Sequence, residues 1–124
     1  MIYARLYADR TGESHFEDVE LETGPAEITP PAPPVTLSEM MAAEHVGFLS
    51  FPPGWSGGFQ VAPSRMILFV LDGQMELTAS DGVARRFPAG SVFSVEDTEG
   101  KGHAMRVIGE REAQLAFAGL PNGE

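Results

Sequence analysis

The chain has 124 residues, 43% of them hydrophobic and 21% charged, which is enough for one domain with one core and too little for two. Eighteen acidic residues against eight basic ones leave a net charge of −10, the wrong sign for neutralising a nucleic-acid backbone or an anionic membrane surface. With no cysteine there is no disulfide framework, thiol nucleophile or zinc–thiolate site.

Strand signals begin at the first residues. Ile2 to Asp9 sets Ile2, Ala4 and Leu6 against Tyr3, Arg5 and Tyr7, the period of two that puts alternate side chains on opposite sheet faces. This start lacks the basic residues and apolar core of a signal peptide, so a cytoplasmic location is expected. A Thr-Gly-Glu turn leads to a more polar strand from His15 to Leu21. Residues 24–36 then hold Pro25, Pro30, Pro31, Pro33 and Pro34, which remove ladder donors and predict an extended connecting arm. The one stretch that reads as a short helix is Thr36 to Glu44, with Ser38 as its cap.

From Glu44 onward the strands are short and closely spaced. His45 to Phe51 ends at Pro52-Pro53-Gly54, Phe59 to Val61 is brief, and Arg65 to Leu71 runs into Asp72-Gly73. Gln74 to Ala79 reaches a second Asp-Gly at Asp81-Gly82, and both pairs fit hairpin turns with a positive-φ glycine. Val83 to Phe87, Ser91 to Val95, His103 to Ile108 and Ala113 to Leu120 complete about ten strands, the pattern of a jelly roll. The longest apolar run, Met66 to Leu71, is strand-sized and far below the eighteen or so residues of a membrane span. Gly100-Lys101-Gly102 lacks the earlier glycine and the following Ser or Thr of a phosphate loop and reads as a turn.

Two stretches carry a recognisable spacing. In the first, Gly54 is followed by Gln60, Ala62, Met66 and Gly73; the second runs from Gly90 to His103. With PPGWSGGF, FVLDGQMEL and FPAGSVF as supporting pieces, these stretches resemble the cupin superfamily in its small, single-domain RmlC-like form. SHFEDVE, FPPGWSG and EDTEGKGH are similar to one group of short cupins within it. The resemblance implies an all-β cupin jelly-roll barrel (a double-stranded β-helix) spanning residues 1–124 as one domain. Residues 1–22 would form N-terminal strands, 23–43 the proline-rich arm and 44–120 the core barrel. It also implies a homodimer.

The chemistry departs from the resemblance. A metal-bearing cupin places two histidines and a glutamate where this chain has Gln60, Ala62 and Met66, and only His103 keeps its ligand type. An amide, a methyl and a thioether serve poorly for iron, manganese, nickel or zinc, so no cofactor is expected. The alternative is a divalent metal held by a rearranged set of His15, Glu96 and His103, in an enzyme of isomerase or dioxygenase type. The reading preferred here is a small-molecule-binding barrel without the usual metal, with Trp55 as a flat wall, Met66 as adaptable apolar lining and Gln60, Glu96 and His103 as polar anchors. Turnover, if it occurs, would run through His103 as acid or base, its ring oriented by Glu96 or Asp97. A third reading keeps the barrel as a structural or partner-binding module.

Overall fold

A computed structural model describes residues 1–122, which form twelve β-strands and no helix. The strands are β1 (Ile2–Ala8), β2 (Ser14–Glu20), β3 (Thr23–Ala26), β4 (Val35–Ser38), β5 (His45–Phe51), β6 (Ser56–Gln60), β7 (Met66–Asp72), β8 (Gln74–Ala79), β9 (Ala84–Pro88), β10 (Val92–Val95), β11 (His103–Val107) and β12 (Ala113–Gly119). Six of them form one sheet in the order β2-β1-β10-β7-β12-β5, and four form the facing sheet in the order β6-β11-β8-β9. Only β1 and β10 pair in parallel, with Ala4 opposite Phe93 and Leu6 opposite Val95. The N-terminal strands are therefore an integral part of the larger barrel sheet.

Period-two alternation sorts the side chains. Ala4 and Leu6 from β1, Leu68 and Val70 from β7, Phe93 and Val95 from β10 and Leu115 from β12 face inward, where they meet Met75, Leu77, Phe87 and Val107 of the opposite sheet. Phe87 and Phe93 stack with ring centroids 4.7 Å apart, and Phe16 lies 6.2 Å beyond Phe87. This end of the sandwich is packed solid. Toward the other end the inward side chains are Leu49, Phe51, Trp55, Met66, Met105 and Phe117, all only partly buried.

Two expectations about local structure fail. The segment read as a helix from Thr36 is strand: Val35–Ser38 pairs with Thr23–Ala26 in a two-stranded ribbon, and the Ser38 hydroxyl donates to the Glu39 carbonyl instead of capping a turn. Thr, Val and the preceding prolines favour extended backbone there, and pairing within the arm supplies the ladder. The proline-rich arm is thus itself a hairpin, after which Met40 and Met41 fold back toward Ile67 and Phe69 on the outer face of the larger sheet.

The second failure concerns Gly73. Its φ is +78°, but β7 and β8 belong to different sheets, so Asp72-Gly73 is the corner where the chain crosses between them, not a hairpin. A Cβ there would lie 2.5 Å from the Glu112 carbonyl oxygen, which is why the crossing needs glycine. Asp81-Gly82 does close the β8–β9 hairpin, although by a three-residue loop in which the Gly82 amide donates to the Ala79 carbonyl.

One polar contact ties the two sheets together at the packed end. His15 on β2 places Nε2 2.7 Å from Asp9 and Nδ1 2.9 Å from Asp81, so each ring nitrogen faces a carboxylate. Only the imidazolium has a donor for both. These two bonds raise the His15 pKa, while bonds from Thr11 and His15 hold Asp9 below the carboxylate range. A histidine whose folded pKa is raised adds stability that is complete below its ordinary value of about 6.5 and fades as pH climbs through the folded value. Urea unfolding of the wild type and His15→Gln should therefore differ most near pH 5.5 and converge in alkaline buffer. An equal difference at both pH values would mean that His15 acts by packing alone.

Candidate functional site

The partly buried end of the barrel opens into a cavity of about 360 Å³. Trp55, Gln60, Met66 and His103 all line it, as do Phe51 and Phe117. They arrive from different strands: Gln60 ends β6, Met66 opens β7 and His103 opens β11, where it sits directly opposite Gln60. Ala62 lies at the same cavity and is buried, its small side chain leaving room where a larger one would project.

Two glycines let aromatic rings form the wall. A Cβ on Gly57 would fall 2.9 Å from the far edge of the Trp55 ring, and one on Gly47 would fall 2.6 Å from the tip of the Phe117 ring. The end of each ring therefore occupies the space that a side chain at the glycine would need. Trp55 also meets Phe51 at a centroid separation of 4.7 Å and an interplanar angle of 58°, a tilted aromatic pair.

The polar end is the pair His103 and Asp97. His103 Nδ1 is 2.6 Å from Asp97 Oδ2, with the histidine 7% exposed and the aspartate fully buried. Among the described residues Nε2 has no hydrogen-bond partner, and it is the ring nitrogen left for the cavity. Asp97 Oδ1 is buried and also without a partner, so the carboxylate's attention is confined to the histidine ring. Its backbone is fixed by the Ala62 amide, which donates to the Asp97 carbonyl at 3.0 Å. The turn before His103 is fixed equally firmly, because the buried Ser14 hydroxyl donates to the Gly102 carbonyl at 2.8 Å.

Glu96 does not join this site. Residues 95 and 97 face the interior, so residue 96 faces out, the direct consequence of strand alternation. Its carboxylate takes bonds from Arg65 at 2.8 Å, Ser94 at 2.9 Å and Arg5 at 3.1 Å. Burial pushes the Glu96 pKa up, but the bonds from Arg65 and Ser94 and the two guanidinium charges outweigh it and hold the group ionised. Of the two acids considered for orienting His103, it is Asp97 that does so.

The rearranged set of His15, Glu96 and His103 is not brought together. His15 spends both ring nitrogens on Asp9 and Asp81, Glu96 is committed to two arginines, and His103 Nδ1 is bound to Asp97. Among the described residues, no three His, Asp or Glu side chains form a group able to hold a metal ion.

Phe51 and Phe117 escaped the sequence reading as lining residues. The signal was present: Gly47, Leu49 and Phe51 share one face of β5, and Leu115 and Phe117 share the same face of β12.

No protein-family model and no curated protein matches the sequence. Solved structures do match in fold. The chain is similar to the cupin domain of Schizosaccharomyces pombe Cnp3 at 17% identity and a TM-score of 0.54, covering 88% of this chain and 73% of that one. It is similar to a Cupin 2 conserved barrel domain protein from Salinispora arenicola at 20% identity and a TM-score of 0.50, over 82% and 76% of the two chains. Drosophila melanogaster CENP-C, in a structure bound to CAL1, matches at 12% identity and a TM-score of 0.50, over 78% of each chain. The fold is that of a small cupin barrel.

Proposed function

We propose that this cupin-fold chain binds a small, largely apolar molecule in the open end of its barrel, without the metal centre that such barrels often carry. The observation that carries the reading is the cavity itself: three aromatic rings, two methionines and several aliphatic side chains form its walls, and polar side chains are few and sit together at Gln60 and His103. Apolar walls with a few convergent polar groups are the usual composition of a ligand pocket. The Asp97–His103 pair also suits proton transfer, since the carboxylate engages Nδ1 and orients the ring while Nε2 is left for a bound molecule. Binding with His103-based turnover is the extension of the same reading.

Trp55 is the only tryptophan in the chain, so its emission reports on the cavity alone. Metal-free protein should show saturable quenching or a shift of that emission with small aromatic alcohols. A metal-dependent enzyme predicts the opposite pattern, with stoichiometric metal in protein purified without chelator. On the present reading the metal content is below about a tenth of an equivalent, because one histidine and one amide make a poor donor set.

For its macromolecular partner the reading takes a second copy of the chain. Val46 and Phe48 on β5 and Phe69 and Leu71 on β7 stand exposed on the outer face of the six-stranded sheet, with Ala116 lying between Phe48 and Phe69. This patch carries no charge, so two copies of charge −10 can meet there without opposing like charges. Sedimentation should show a dimer for the wild type and a monomer for Phe48→Glu. A wild-type monomer at micromolar concentration would leave the patch for another protein, the reading to which the CAL1-bound Drosophila structure lends weight.

A further inference from the structure

We infer that the cavity selects an uncharged, flat aromatic molecule bearing one hydroxyl or carbonyl group and discriminates against its carboxylate counterpart. The inference rests on the small-molecule reading above and adds the charge and shape of the ligand.

Charge selection comes from what surrounds the cavity. No lysine or arginine lines it; the nearest thing to a cation is His103, and that ring is already bound to a carboxylate. An anion entering the cavity would find no direct cationic partner, while Asp97, which does not line the cavity, lies fully buried behind the His103 ring with one oxygen unpartnered and little solvent screening. The chain's net charge of −10 adds repulsion at longer range. Two carboxylates around one imidazole in an apolar pocket is a costly arrangement, and nothing else in the lining offsets it.

A cation fares differently but no better. Phe51, Trp55 and Phe117 line the cavity, and aromatic rings attract positive charge at their faces. The one carboxylate at hand, however, is turned toward His103 and sealed from the cavity, so a cation would lose its water without gaining a counter-ion. A neutral ligand avoids both costs. Its hydroxyl or carbonyl meets His103 Nε2 and the Gln60 amide, which stand opposite each other across β11 and β6, and its ring lies among the aromatic walls.

The shape requirement follows from the two ring-covered glycines. The far ends of Trp55 and Phe117 reach over Gly57 and Gly47, so with Phe51 they put three aromatic rings into a lining that also holds Leu49, Leu68 and Val95. At about 360 Å³ it is at the small end of ligand pockets.

The test is calorimetric titration of the intact chain at about pH 7 with 1-naphthol, 1-naphthoate and 1-naphthyltrimethylammonium, three probes that share a ring system and differ in charge. Naphthol should bind at least about tenfold more tightly than either charged probe, as expected for burying an unpaired charge. In Gln60→Lys, which places an ammonium at an exposed lining position, naphthoate should gain at least about tenfold relative to naphthol, which loses its amide partner. Naphthoate or the ammonium probe matching naphthol in the wild type overturns the charge selection and leaves the cavity as a binding site. Absence of binding by all three, with Trp55 emission unchanged, overturns the selection and the binding site together. A Gln60→Lys protein that still excludes naphthoate would show that position 60 does not face the ligand, and the electrostatic argument would fail with it.

Discussion

Replacing His103 with alanine is expected to destabilise the protein by about 3 kcal/mol, the cost of leaving a buried carboxylate without its hydrogen-bond partner. The reason lies with the residue left behind. Asp97 is fully buried, one of its oxygens already has no partner, and among the described residues His103 Nδ1 is the only group bonded to the other. Removing the imidazole leaves a carboxylate with neither water nor donor, so the chain must protonate it, admit water or unfold locally. Thermal unfolding should show a fall of roughly 10 °C for a domain of this size. Asp97→Ala should cost a similar amount, and the double variant less than the sum by about 1 kcal/mol or more, because the second change removes a group already stranded by the first. Exposed Gln60 supplies the contrast: Gln60→Ala should leave unfolding nearly unchanged while weakening aromatic-alcohol binding by about 1 kcal/mol. Additive single effects in the His103–Asp97 cycle would mean the two residues are not a functional pair.

The second large effect is at Gly102, immediately before His103. Its φ is +74°, which costs an L-residue about 1–2 kcal/mol, and a Cβ there would lie 2.3 Å from the carbonyl carbon and oxygen of Gln60. Those atoms are backbone and belong to the strand that carries a lining residue, so they cannot swing aside. Gly102→Ala should therefore lose about 3 kcal/mol or more and disturb the register of His103 opposite Gln60. Gly90 provides the control, since its φ is +93° but nothing lies within 4 Å of its Cβ position. Gly90→Ala should cost only about 1–2 kcal/mol, the backbone part alone. Equal losses at the two positions would show that the close approach of the β11 turn to β6 does not exist.

The barrel was readable from sequence because its strands alternate cleanly and its turns use residues with special backbone needs. Ala4 and Leu6 against Tyr3 and Arg5, or Leu68 and Val70 against Phe69 and Leu71, assign faces without further information. The glycine spacings at residues 54–73 and 90–103 then carried the resemblance to cupins, and Trp55, Gln60, Met66 and His103 from those two stretches line one cavity. What stayed hidden depended on which strands pair. The Asp72-Gly73 pair has the same sequence signature as Asp81-Gly82, yet one is a corner between sheets and the other a hairpin, and only the long-range partners of β7 and β8 tell them apart. Val35–Ser38 becomes a strand because Thr23–Ala26 lies beside it, a pairing no local propensity announces. Glu96 was placed with Asp97 by proximity in the chain, whereas strand alternation sends neighbouring side chains to opposite faces and gives the orienting role to Asp97 alone.

The central claim is that the open end of the barrel is a ligand cavity whose polar end is His103. A crystal of the metal-free protein soaked with 1-naphthol tests it most directly. The ring is expected in the cavity beside Trp55, with its hydroxyl at about 2.7–3.2 Å from His103 Nε2 and with Asp97 still bound to Nδ1. A cavity closed by Met66 and Met105, with the probe elsewhere on the surface or His103 turned away from the interior, would contradict it.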